Sequence, residues 1–370
     1  MSALFSPYQL AGFTPENRIV VSPMCQYSAV DGSATDWHIM HLGQMALSGA
    51  GLLILEATGV EPRGRISPAC LGLYSDDNEM ALERVLKAVR AHSRARIGIQ
   101  LGHAGRKASV DLPWRGNKPL APGAGGWEPV GPSALPFSEG WNMPKPIDRA
   151  EMDKIVAAFV QATRRCLRLG FDLIELHGAH GYLMSEFLSP LANQRNDEYG
   201  GSLENRMRFP LEIASAVRQA WPRERALGVR LNGSDFTPGG IVVEETAQVA
   251  AALKSRGIDY VCISGGGNSP KQEIPVKPHY QVPFAAEVRR RTGITTMAVG
   301  MIADPKAADA IVANGEADLV ALARGFMDDL RWAWHAAEAL GEDLKVVVQY
   351  ERARPKLWPG AKLVRPALHP

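Results

Sequence analysis

The chain has 370 residues, 46% hydrophobic and 22% charged, a balance that gives a large apolar core and excludes a disordered chain. Lys and Arg total 41 against 39 Asp and Glu, and the net charge of +2 excludes the strong sequence-independent attraction that nucleic-acid binding needs. Cys25, Cys70, Cys166 and Cys262 form no CxxC pair, and no leader-like segment or membrane-length apolar run stands out, so we expect a cytoplasmic protein without disulfides, iron–sulfur cluster or membrane contact.

In chain order, RIVVSP at 18–23 is the first predicted strand and LLILE at 52–56 the second, with a helical pattern over 76–93. RIGIQL at 96–101 is the third. From Arg106 to Pro146 eight prolines among many glycines break the rhythm and exclude a helix, which makes this segment a long loop excursion. It walls a pocket or is a plain surface loop, and its Trp114, Trp127 and Trp141 either line that pocket or anchor the loop.

A helix over 149–168 then leads to DLIEL at 172–176, a helix over 203–219 to ALGVRL at 226–231, and a helix over 244–256 to DYVCI at 259–263. TTMAV at 295–299, a helix over 305–313 and DLVAL at 318–322 complete the series. Each strand is almost continuously apolar, as parallel strands covered on both faces are. The first strand is followed by PMCQYS rather than a GxGxxG turn, and eight strand–helix units is the number of a closed barrel. The expected fold is therefore an α/β TIM (β/α)8 barrel with a long excursion after strand three.

In such a barrel the residues that follow the strands meet at one mouth. Strand one delivers Ser22, Pro23, Met24, Cys25, Gln26 and Tyr27, strand two Glu56 and Ala57, strand three Gln100, and strand five Arg230. After strand four, HGAHGYL brings His177, His180 and Tyr182 together. Two imidazole donors on one oxygen polarise a conjugated double bond, and a phenol with an ordinary pKa of about 10 stays protonated and can supply a proton. The competing readings are a structural histidine pair and a metal site with Glu175, as in a flavin-free hydrolase, although no third ligand stands out. Gly300, Ala323 and Arg324 suit a phosphate, or tight turns alone. Buried Arg230 needs the electron-rich edge of a flavin or a salt bridge to Glu56 or Glu175. Cys25 is a nucleophile, a tuner of a cofactor or a buried apolar residue.

The strings SPMCQYS, QLGHAGRKAS, HGAHGYLMSEFLSPLANQRNDEYGGSLENR and ALARGF, in this order, resemble the Old Yellow Enzyme family from about Leu4 to Trp358. Within it the chain is similar to the bacterial xenobiotic reductase and NADPH dehydrogenase branch, the thermophilic-like ene-reductases. The resemblance implies non-covalent FMN, NADPH or NADH as reductant, and reduction of activated carbon–carbon double bonds in enones and nitro compounds, with nitro-esters or other xenobiotics as further substrates. It implies FMN contacts from Ser22, Pro23, Met24, Cys25, Ala57, Gln100, Arg230, Gly300, Met301, Ala323 and Arg324. His177 and His180 would bind the activating oxygen, Tyr182 would donate the proton, Cys25 would modulate the flavin, and Tyr27 would position substrate. It also implies a homo-oligomer, dimer or tetramer, with one barrel domain over 1–358 whose Arg352 and Trp358 reach a neighbouring subunit. A tail over 359–370 follows, and no metal is expected.

Overall fold

Strands that are apolar at nearly every position need cover on both faces, and a closed parallel barrel ringed by helices supplies it. The computed structural model describes residues 2–365. Its barrel strands are β1 (Ile19–Val21), β2 (Leu52–Gly59), β3 (Arg96–Gly102), β4 (Leu173–Gly178), β5 (Ala226–Asn232), β6 (Tyr260–Ser264), β7 (Thr295–Ala298) and β8 (Leu319–Leu322). Each pairs in parallel with the next, and β8 returns to β1 to close the ring. All residues of β4 and of β5 are buried.

The surrounding helices are α1 (Asp36–Ala46), α2 (Asp76–Arg90), α3 (Arg149–Arg168), α4 (Leu203–Ala220), α5 (Val243–Ser255), α6 (Val282–Thr292), α7 (Pro305–Ala313) and α8 (Trp332–Ala339). Local chemistry sets several starts. Ser75, Asp148, Ser202 and Asp304 each accept a first-turn N–H through the side chain, and Pro305 follows its cap directly. Among the described residues no helix is long and apolar enough to cross a membrane. All four cysteines are free thiols.

The barrel interior holds Val20, Leu52, Ile54, Leu173, Tyr260, Cys262, Met297 and Leu319, joined by Leu10 and Phe13. Leu10 and Phe13 come from an N-terminal turn in which each N–H donates to the other's carbonyl. They meet the first residues of the strands, so the N-terminal end of the barrel is plugged and only the opposite mouth remains open. Inside, Gly228 leaves room for the Tyr260 ring, whose Cε1 lies 2.1 Å from where a Cβ would stand.

Two expectations change. β2 runs on to Gly59 because β3 pairs with it as far as Gly102 across a bulge between Leu55 and Ala57, so Glu56 and Ala57 lie within the strand. β4 likewise continues to Gly178 and contains His177. The segment over 106–146 forms no α-helix, only two 3₁₀ turns and a short parallel pair, Val130–Gly131 with Lys145–Pro146. At the other end, Ala361–Val364 forms a helical turn and Arg365 Nε donates to Glu338 Oε2 at 2.7 Å. The remainder of the expected tail, 366–370, lies outside the described residues.

Replacing Gly228 by Ala forces a methyl group into the Tyr260 ring, and overpacking of this kind costs about 1–3 kcal/mol. The denaturation midpoint should fall accordingly. An unchanged midpoint would contradict the packing described.

Candidate active site

In-register pairing places His177 beside Arg230, Arg230 beside Cys262, and Asn232 beside Ser264. The chain then turns sharply: His180 has φ of +61° and Gly181 +70°. Only glycine fits at 181, because a Cβ there would lie 1.9 Å from the Gly267 carbonyl oxygen. The turn is held from two sides. His180 N–H donates to Asn232 Oδ1 at 3.0 Å, and Lys107 Nζ donates to the His180 and Gly267 carbonyls at 2.8 and 3.1 Å.

This geometry brings His180 Nδ1 to 3.4 Å from His177 Nε2 and sets the Tyr182 ring 4.9 Å from the His177 ring, at 75°. The Ala179 N–H donates to His177 Nδ1, so the His177 proton sits on Nε2 and faces its partner ring. His180 Nε2 lies 2.8 Å from Ser264 Oγ. Ser264 donates its one hydroxyl proton to Gln281 Oε1 at 3.2 Å and so accepts from His180 Nε2–H; turned to Nε2 instead, that proton leaves His180 with Nδ1–H and the two rings present donors to one point.

Burial, reinforced by the nearby Arg230 charge, holds the pKa of both imidazoles well below the ordinary histidine value. They are therefore neutral donors. Burial also pushes the Tyr182 phenol and the Cys25 thiol well above their ordinary values. A raised thiol pKa disfavours the nucleophile reading for Cys25.

Arg230 is 8% exposed. Its Nη1 donates to Ser22 Oγ at 3.2 Å, and its buried Nε has no partner. The salt bridges offered as an alternative do not form. Glu56 accepts from Gln26 N–H at 3.0 Å and faces His38, while Glu175 accepts from Gln100 Nε2 at 2.7 Å and the Tyr260 hydroxyl at 3.1 Å. The Gln100 amide nitrogen is thereby committed inside the barrel. With Glu175 engaged elsewhere, His177 and His180 have no third ligand, and among the described residues no group of three or more His, Cys, Asp or Glu stands together to hold a metal.

Around this floor Pro23, Met24, Cys25, Tyr27 and Ala57 remain half-buried at the mouth. Gly300 and Met301 have φ of +112° and +52°, and Ala323 precedes a short helix, Arg324–Asp328, with Arg324 exposed. From the excursion, Trp127 and Trp141 pack against the same small apolar cluster around Ile66, Cys70 and Val110 as do Cys25, Tyr27 and Tyr182, and Trp114, 65% exposed, stands edge-on to Tyr27 with ring centroids 6.0 Å apart.

Arg352 and Trp358 are not part of this assembly. Both are exposed on the C-terminal segment, where Tyr350 packs on Trp334 of α8 and Arg331 Nη1 donates to the Leu47 carbonyl at the plugged end of the barrel. Sequence reading missed four residues at the mouth: Lys107, Asn232, Ser264 and Gln281, the last accepting from Ser264 Oγ at 3.2 Å. Ser264 and Asn232 end strands, the signal that found their neighbours. Gln281 lies in a loop that carries no such signal.

The profile described as "NADH:flavin oxidoreductase / NADH oxidase family" matches residues 3–343. An NADPH dehydrogenase of Geobacillus sp. (strain WCH70) is 45% identical over 351 residues, covering 94% of this chain and 98% of that protein. A second NADPH dehydrogenase, from Geobacillus thermodenitrificans (strain NG80-2), is 45% identical over 353 residues, 95% of this chain and 98% of that one. The structure of morphinone reductase in complex with tetrahydroNAD is similar with a TM-score of 0.75 at 29% identity, covering 93% of this chain and 92% of that chain.

Because the folded state holds His177 and His180 neutral while the unfolded chain protonates them below about pH 6.5, their contribution is intact above that pH and lost as pH falls. Unfolding free energy measured by urea titration should drop less steeply between pH 6.5 and 5 in the His177→Ala/His180→Ala double variant than in the parent. Equal slopes would contradict neutral rings in the folded protein.

Proposed function

The chain belongs to the NADH:flavin oxidoreductase / NADH oxidase family, which includes the Old Yellow Enzymes its motifs resemble, and we propose that this FMN-dependent NADPH dehydrogenase reduces carbon–carbon double bonds activated by a carbonyl or nitro group. The supporting observation is a pair of neutral imidazoles whose nitrogens approach to 3.4 Å beside a protonated phenol.

The residues at the mouth fit FMN. A buried guanidinium with an unpartnered Nε suits the electron-rich ring edge, and left-handed backbone at Gly300 and Met301 after β7, with exposed Arg324 after the neighbouring β8, suits a phosphate. In this reading Ser22, Pro23, Met24, Cys25, Ala57, Gln100 and Arg230 hold the ring system, and Gly300, Met301, Ala323 and Arg324 hold the phosphate. The chemistry FMN supplies when bound is hydride transfer, from NADPH or NADH and then to the substrate's β-carbon, in two half-reactions that share the pocket.

The protein's part is orientation and proton supply. His177 Nε2–H and His180 Nδ1–H donate to the substrate oxygen and draw electron density from the double bond, a stabilisation that grows as negative charge builds there. Tyr182 gives its proton to the α-carbon and is reprotonated from solvent. Tyr27 and the tryptophan wall position the substrate, and the Cys25 thiol, held protonated, tunes the flavin without forming a bond to it. Arg352 and Trp358, directed away from their own mouth, serve the neighbouring subunit of a homo-oligomer. Nitro-esters present the same kind of oxygen and fall within the substrate range.

Anaerobic stopped-flow spectroscopy of flavin absorbance separates the half-reactions. His177→Ala and His180→Ala should each slow enone reduction about 10²-fold, and flavin reduction by NADPH much less. Tyr182→Phe should slow the enone half-reaction by a similar factor. Equal slowing of both half-reactions by the histidine variants would refute the oxygen clamp, and an unaltered Tyr182→Phe rate would refute the proton donor.

A further inference from the structure

Lys107 holds the turn at His180 and has no part in the chemistry assigned above, yet its ammonium stands beside the Tyr182 ring. Two of its three N–H groups are spent on the His180 and Gly267 carbonyls. Its Nζ also lies 5.0 Å from the centroid of the Tyr182 ring and 4.8 Å from that of Phe137. No carboxylate forms an ion pair with it among the described residues. Glu186 is an acid whose charge acts on it, and burial moves both groups, pushing the carboxyl up to about 8 and the Lys107 ammonium down to about 8, so near neutrality both are mostly protonated. The ammonium's electrostatic partners are therefore two carbonyl dipoles and two aromatic faces.

From this placement we infer that Lys107 is a positioning residue that promotes proton delivery by Tyr182. The inference rests on the reading of Tyr182 as proton donor. When the phenol O–H bond breaks and the proton bonds to the substrate's α-carbon, the electron pair left behind spreads from the oxygen into the ring. A cation over an aromatic face attracts a neutral ring modestly and an anionic ring much more. The attraction therefore grows along the proton-transfer coordinate, which is the condition for accelerating a step rather than tightening binding. Protons balance: one leaves Tyr182, one reaches carbon, and solvent restores the phenol while Lys107 keeps its own.

The competing account is that Lys107 only staples the β4 and β6 loops through its carbonyl contacts. The two accounts differ in what they affect. Stapling supports the whole mouth, including the histidine clamp, whereas ring stabilisation acts only on the proton step and only while the phenol is present.

The experiment is a double-mutant cycle on the FMN-loaded enzyme with Lys107→Met, Tyr182→Phe and the pair. Each is read by the two anaerobic half-reactions, by the solvent deuterium isotope effect on enone reduction, and by the dissociation constant of a para-substituted phenol. We expect Lys107→Met to slow enone reduction about tenfold and raise its solvent isotope effect. Flavin reduction and phenol affinity should fall several-fold less than enone reduction, because the lost carbonyl contacts touch the mouth alike, and the excess loss in enone reduction should vanish in the Tyr182→Phe background. Lys107→Arg, which keeps a cation, should recover most of the loss. Parallel losses in both half-reactions and in phenol affinity, or a Lys107 effect that persists undiminished without the phenol, would overturn the inference. If Tyr182→Phe alone leaves enone reduction unchanged, the proton-donor reading itself fails. If Tyr182→Phe slows it and Lys107→Met does not, only the role of Lys107 fails.

Discussion

The register between β4, β5 and β6 is the constraint on which the site depends. Side chains alternate across a strand, so a slip of one residue would turn His177 and Arg230 out toward the helices and replace them with leucines and valines. The closed ring allows no such slip without moving every strand, and the apolar inward residues below, from Leu173 to Tyr260, penalise it. With the far end plugged by Leu10 and Phe13, the polar side chains that end the strands share a single opening.

Burial then decides the charge of each group at that opening. It removes protons from His177 and His180 and keeps them on Tyr182 and Cys25, while one guanidinium, Arg230, stays with an unfilled donor. The result is a surface rich in hydrogen-bond donors, suited to an electron-rich ring and to an oxygen that gains charge. Glu56 and Glu175 form no salt bridge with the guanidinium: each is hydrogen-bonded to neutral or histidine partners below the mouth, and Arg230 acts on Glu175 only across space.

Much of this was legible in the sequence because it follows from simple alternation. Eight apolar runs separated by amphipathic helices define a barrel, and polar residues at their ends stand out against the surrounding apolar background. Helix α1 was not legible, since buried His38 interrupts its apolar face while the large apolar Trp37 and Met40 stand on its exposed side. The short helix Leu183–Leu188 was hidden for the opposite reason: it is buried on all sides, Ser185 and Glu186 included, and shows no polar face. Lys107 sat inside a quoted motif, but nothing in a string of letters reveals that its ammonium crosses to the loops after β4 and β6. Arg352 and Trp358 fall outside the mouth of their own barrel, exposed on the C-terminal segment.

The oxygen clamp is tested most directly by a crystal structure of the FMN-loaded protein with a para-substituted phenol. The account predicts the phenol oxygen within hydrogen-bond distance of both His177 Nε2 and His180 Nδ1, with the ring lying over the flavin. A phenol bound elsewhere, or an oxygen held by neither imidazole, would contradict it.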